Sequence, residues 1–105
     1  MNRIKKRLAS TKYNLEHYDE PLFSATIKTW CDSINGNTYH SVEVLCPNGE
    51  TLYQGMTYGY GYQYKETTRK LLKGNGYDVH ETFNDFAKSN ICAFREHEVS
   101  RQRDL

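Results

Sequence analysis

Residues 57–64 read TYGYGYQY, with tyrosine at 58, 60, 62 and 64 and glycine at 59 and 61. Alternation is the period of a strand, since successive side chains on extended backbone point to opposite faces. The glycines argue against a continuous strand, because glycine packs nothing in a sheet and readily adopts positive φ. The residues beyond decide the matter. From Tyr64, the positions Thr68, Leu71 and Leu72 fall at i+4, i+7 and i+8, one face of a helix. Period two therefore gives way to period 3.6 inside the stretch, with Gly59 and Gly61 at the joint. The spacing predicts a strand ending at Tyr58 and a main helix over 62–73. Gly74 is placed to end that helix in the left-handed conformation, and Glu66–Lys70 is a supporting i, i+4 ion pair.

Upstream lie two turn signals. ATIKTWCD (25–32) and TYHSVEVLC (38–46) flank SINGN, and Asn35-Gly36 is a preferred two-residue hairpin turn. That turn sets Cys31 opposite His40, Thr29 opposite Val42, Ile27 opposite Val44 and Ala25 opposite Cys46. On the other face it pairs Trp30 with Ser41 and Lys28 with Glu43. CPNGE (46–50) is the second turn, with Pro47 suited to the first corner and Gly49 to the left-handed residue after it. It sets Val44 opposite Leu52, Val42 opposite Gln54 and His40 opposite Met56. The expected inner face is Ile27, Cys31, Val42, Val44, Leu52 and Met56, with Trp30 covering Ser41 and Gly55 outside.

Downstream, TFND (82–85) resembles a capping box, and Phe83, Phe86 and Ala87 give a short second helix an apolar edge. ICAFREHEV (91–99) reads as a fourth strand. The fold class is α+β: a three- or four-stranded antiparallel meander packed against one main helix and a short second one. Residues 1–23 read as a basic arm or short helix (Ile4 and Leu8 at i, i+4) and 24–105 as a single domain.

The 105 residues carry 14 basic and 13 acidic side chains, a balance that disfavours a global polyanion binder. The basic charge concentrates in the arm, at Arg3, Lys5, Lys6, Arg7 and Lys12. Three cysteines without a CxxC pair indicate reduced thiols rather than a disulfide frame or a zinc site. No apolar run reaches the ~20 residues of a membrane span, and no secretory signal is visible, so a cytoplasmic chain is expected.

NGNTYHSV (35–42), TYGYG (57–61) and a helix ending in GY (76–77) together resemble a group of small phage and prophage proteins of unknown function. The terminal SRQRDL (100–105) is similar in flavour, and the basic arm lies outside the likeness. Such proteins tend to carry a small acidic or polar residue after the second glycine, where this chain has Tyr62. The resemblance implies an accessory product of an infected bacterium that binds and blocks host machinery, including defence systems. It implies no catalytic residues.

The residues themselves offer several chemistries. Cys31 facing His40 suggests a thiolate–imidazole pair, but without a third group to orient the histidine, a buried thiol beside a hydrogen-bonded histidine is the better reading. His17, His80 and His97 lack metal-ligand spacing, and Glu96 and Glu98 flank His97 without converging on it. Gly59 and Gly61 before a helix suggest an anion cradle, yet GxGxxG and the Lys-Ser/Thr of a P-loop are missing. Lys65, Arg69 and Lys73 recur at i, i+4 and i+8, and with the basic arm form a conceivable nucleic-acid footprint.

The nine tyrosines point elsewhere, because aromatic side chains supply large contact area at protein interfaces. The expected function is a non-enzymatic protein without cofactor or metal, which occupies a surface on a host protein or protein–nucleic-acid complex. Trp30, Tyr39, Tyr53, Tyr58 and Tyr60 are the candidate contacts. The alternative is nucleic-acid binding through Arg3, Lys5, Lys6, Arg7, Lys65, Arg69 and Lys73. An exposed edge strand also makes a homodimer conceivable.

Overall fold

The computed structural model describes residues 21–89 and 91–105. In chain order they form β1 (Phe23–Asp32), β2 (Asn37–Leu45), β3 (Thr51–Tyr58), α1 (Gln63–Gly74), α2 (Phe83–Lys88) and β4 (Cys92–Glu98), followed by a 3-10 turn at Gln102–Asp104. The strands make one four-stranded sheet in the order β3-β2-β1-β4. The class is α+β, a mostly antiparallel sheet with one main helix and a short second one, as the periodicities predict.

The fourth strand departs from the expected meander, because β4 pairs with β1 in parallel. The connection is long enough to allow it. β1 and β3 share a direction because each is antiparallel to β2. The chain leaves β3, passes through both helices and returns as β4, and a crossover of that length is what a parallel pairing needs. Leu22 and Phe23 N–H donate to the Ile91 carbonyl at 2.9 Å, and Val99 N–H donates to the Thr29 carbonyl at 2.8 Å. These bonds close the β1–β4 ladder at both ends.

The first hairpin is correct in face and displaced in register. Ile27 lies opposite Val42, Ala25 opposite Val44 and Thr29 opposite His40, two positions from the two-residue-turn prediction. The cause is Asp32. Its Oδ1 accepts from the backbone N–H groups of Ile34 and Asn35 at 3.0 and 3.3 Å, and its Oδ2 accepts from Asn35 Nδ2 at 2.8 Å. This side-chain clamp supports a longer loop closed by the Asp32–Asn37 pair, with Gly36 at φ 73°. A two-position slip keeps every side chain on its face, so the apolar set stays inside. Individual pairs change: Lys28 meets Ser41 rather than Glu43, and Cys31 meets Thr38 and is exposed rather than inner.

The second hairpin follows prediction near its turn. Cys46 N–H donates to Glu50 O at 2.8 Å, Gly49 has φ 88°, and Val44 and Val42 pair with Leu52 and Gln54. A bulge follows: Gly55 and Met56 together oppose Ser41, and His40 therefore meets Thr57, not Met56. The extra residue leaves Met56 exposed rather than inner. Gly55 is covered by the ring of Tyr53, which lies 3.5 Å from where its Cβ would be, and Trp30 packs elsewhere.

The core lies between the sheet and the helices. Phe23, Ala25 and Ile27 of β1, Val42 and Val44 of β2 and Leu52 of β3 meet Tyr64 and Leu72 of α1, with Tyr77, Val79, Phe86 and Ile91 closing the sides. Phe23 and Tyr77 stack edge to face at 5.2 Å, and the Tyr77 hydroxyl donates to Glu50 Oε1 at 2.9 Å. The predicted helical face holds, with Tyr64, Thr68 and Leu72 buried and Leu71 half-buried.

The helix stop falls later than Gly74. Gly76, at φ 93°, donates its N–H to Lys73 O, and Tyr77 N–H donates to Leu72 O. That pair of bonds is a Schellman closure, with buried Tyr77 and Leu72 supplying its apolar contact. The cap of α2 is as predicted: Thr82 Oγ1 accepts from Asp85 N–H at 3.1 Å.

Candidate functional site

Two features occupy the region around TYGYGYQY: a buried polar corner and an aromatic face of the sheet. At the corner, Gly59 has φ 150° and Gly61 has φ 63°. A Cβ on Gly59 would lie 2.9 Å from Gln63 Cβ and 3.3 Å from His40 Cε1, so both backbone angle and close approach require glycine. Tyr62 is the N-cap residue of α1 and makes no side-chain cap bond; the turn is held by backbone bonds, including Lys65 N–H to Tyr62 O at 3.0 Å.

His40 is the buried polar group beneath this corner. Its Nδ1 lies 3.3 Å from the Gly59 carbonyl and its Nε2 2.7 Å from Thr67 Oγ1. A carbonyl only accepts, so Nδ1 carries the proton and Nε2 accepts from the Thr67 hydroxyl. Burial holds this imidazole below its ordinary pKa, which suits the neutral form. The anticipated Cys31–His40 pair does not form: His40 lies opposite Thr29 and is hydrogen-bonded at the joint, and Cys31 lies opposite Thr38, exposed. The anion-cradle reading also loses donors, since Gly59 N–H donates to Thr38 O and Gln63 N–H to Tyr60 O.

The sheet face opposite the helices carries the aromatic residues. Trp30 of β1 stacks on Tyr39 of β2 with centroids 5.7 Å apart, and Tyr39 meets Tyr58 of β3 edge-on at 5.6 Å. The displaced register is what places Trp30 opposite Tyr39 and thereby builds a ladder across three strands. Tyr53, on the same face of β3, is exposed, as are Tyr58 and Tyr60. Of the five candidate contacts, the structure brings together Trp30, Tyr39 and Tyr58. Tyr53 lies further along β3, and Tyr60 projects from the corner.

The chain end also reaches this face, a feature that sequence reasoning missed. The Tyr53 hydroxyl donates to Leu105 O at 3.1 Å, and Gln102 Nε2 approaches Met56 Sδ at 3.1 Å. No periodicity or motif in SRQRDL signals that contact. Ser41, on the same face between these groups, is buried at 2 % exposure.

The basic stripe of α1 is drawn into internal contacts. Arg69 Nε and Nη2 donate to the two carboxylate oxygens of Glu66, each at 2.8 Å, displacing the expected Glu66–Lys70 pair. Arg69 Nη1 also donates to Glu81 O at 2.9 Å. Its hydrogen bonds hold the Glu66 carboxyl below the usual carboxylate range. Lys73 pairs with Glu81. Lys65 Nζ lies over the rings of Tyr62 and Phe94, at 5.2 and 5.4 Å. Arg3, Lys5, Lys6 and Arg7, with the rest of the basic arm, the Ile4–Leu8 helix and His17, lie outside the described residues.

Between α1 and β3 runs an open groove of about 510 Å³, bordered by Gln54, Thr57, Thr67, Lys70 and Leu71. Among the described residues, no group of three His, Cys, Asp or Glu side chains is placed to hold a metal ion. Glu96 is instead hydrogen-bonded by the Tyr64 hydroxyl at 2.8 Å. No described helix is long and apolar enough to cross a membrane.

The fold and site together define a small α+β domain with one helical face and one aromatic face, which the chain end reaches. No protein-family model, curated protein or solved structure matches the chain.

Proposed function

We propose that this chain is a non-enzymatic binding protein that docks on another protein through the aromatic face of its sheet. The observation that carries the reading is the Trp30–Tyr39–Tyr58 ladder, one stacked and one edge-on aromatic contact on the face of the sheet away from α1 and α2. Aromatic rings held against one another lose little side-chain freedom on binding, the property that makes tyrosine and tryptophan frequent interface anchors. Tyr53 and Tyr60 extend the surface to either side. The likeness of NGNTYHSV and TYGYG to small phage and prophage proteins supports a host bacterial protein as partner, blocked by occupation of its surface.

The nucleic-acid reading draws less support, since Arg69 and Lys73 each have a carboxylate partner within the chain. Affinity capture from bacterial extract tests the choice. The wild type should recover one stoichiometric partner, a Tyr39→Ala, Tyr58→Ala double variant should lose it, and Lys73→Ala should keep it. Undiminished capture by the double variant would overturn the reading. Binding to nucleic acid that weakens steeply with salt would favour the alternative.

A further inference from the structure

The two edges of the sheet differ in chemistry. β4 carries Arg95, Glu96, His97 and Glu98 among its seven residues. Charges on an outer strand oppose the addition of another strand, and natural sheets use them for that purpose. β3, the other edge among the described residues, reads TLYQGMTY and has neither charge nor proline. Exposed apolar side chains gather on it: Tyr53, Met56 and Tyr58 belong to β3, and Leu45, Tyr60 and Tyr62 adjoin it.

The bulge at Gly55–Met56 leaves one half of β3 regular. From Thr51 to Gln54, each residue pairs in step with β2. The Cys46 N–H to Glu50 O bond sets the phase of that ladder. Hydrogen-bonded pairs then fall at Val44–Leu52 and Val42–Gln54, so the backbone groups of Thr51 and Tyr53 point away from β2 toward the open edge. The groove beside α1 runs along the same edge, with room for side chains from an added strand.

We infer that β3 pairs antiparallel with β3 of a second copy of this chain, about a two-fold axis at Tyr53. A neutral strand meets no like-charge repulsion from its own copy, whereas β4 paired with itself about His97 would oppose Glu96 to Glu98. In this register Tyr53 faces its own copy as a hydrogen-bonded pair, Leu52 faces Gln54, and the Gln54 side chains enter the grooves. The axis stands perpendicular to the sheet, so both aromatic ladders lie on one surface and α1 and α2 of each copy on the other. This pairing goes beyond the binding reading and does not depend on it.

Gel filtration with in-line light scattering should return twice the 12.3 kDa chain mass. Tyr53→Pro removes an outward N–H without breaking a bond to β2, and should give a monomer with the wild-type circular dichroism spectrum. In a Cys31→Ser background, Tyr53→Cys should cross-link into a disulfide dimer under mild oxidation, because facing Cα atoms of such a pair are about 5.5 Å apart. Thr57→Cys in the same background should not. A wild-type monomer overturns the proposal, and so does a dimer in which Tyr53→Cys fails to cross-link.

Discussion

The Nε2 of His40 and the Oγ1 of Thr67 are 2.7 Å apart, a bond from the middle of the sheet to the first turns of α1. With the Gly59 contact on the other ring nitrogen, it fastens strand, corner and helix through one imidazole.

Acid should loosen that fastening. Burial holds the His40 pKa below its ordinary 6.5, so in the window between the two values the unfolded chain binds more protons than the folded one. The stability contributed by neutral His40 is complete above about pH 6.5 and is lost as pH falls toward the folded value. His40→Ala should cost about 2–4 kcal/mol at about pH 7.5, and its loss of stability on going to about pH 5.5 should be smaller than that of the wild type. Urea titrations of both proteins at the two pH values measure the difference. Equal pH dependence would assign the acid sensitivity to other groups.

The glycines of this region should respond unequally. Gly59→Ala forces a side chain into an unfavourable φ and against Gln63 and His40, and should cost on the order of 2–3 kcal/mol. Gly55→Ala meets only ordinary contact with the Tyr53 ring, and should range from neutral to a gain of about 1 kcal/mol. Thermal unfolding of the two variants side by side tests the contrast.

Arg69→Lys should not behave as a conservative change. The guanidinium holds both oxygens of Glu66 while donating to the carbonyl of Glu81, a geometry an ammonium does not reproduce. The expected loss is about 1 kcal/mol, tempered by solvent around the pair. Hydrogen exchange should quicken in the segment leading into α2, and unchanged protection at Thr82–Phe86 would show that Arg69 does not hold it.

The three thiols should separate by reactivity. Cys31 is exposed, whereas Cys46 and Cys92 are buried. Burial pushes the Cys92 thiol up to about 12, so little thiolate forms at neutral pH. A thiol reagent should label one cysteine in the native protein and all three after denaturation. Rapid labelling of a second native thiol would place Cys46 or Cys92 nearer the surface.

Much of this architecture is legible where interactions span few residues. The turn at Pro47–Gly49, the Thr82 cap and the Tyr64–Thr68–Leu72 face all come out as their spacing implies. The first hairpin misleads because Asn35-Gly36 has a competitor: Asp32, three residues earlier, captures Asn35 and sets a longer loop. The bulge opposite Ser41 has only Gly55 as its sign, and that glycine alone does not say which way the ladder slips. The direction of β4 was not fixed by the sequence, since the helix-containing connection after β3 is long enough for a parallel return without requiring one.

The switch from strand to helix at Gly59 and Gly61 is written in the chain, because backbone freedom and side-chain period are properties of neighbours. The company each residue keeps beyond that range is not. Whether His40 meets Cys31 or Thr67, and whether Trp30 covers Gly55 or stacks on Tyr39, depends on register. Whether Arg69 faces solvent or Glu81 depends on how the crossover lies against the sheet. Those choices were made by packing among distant segments, where burial of the shared core outweighs any single local pairing.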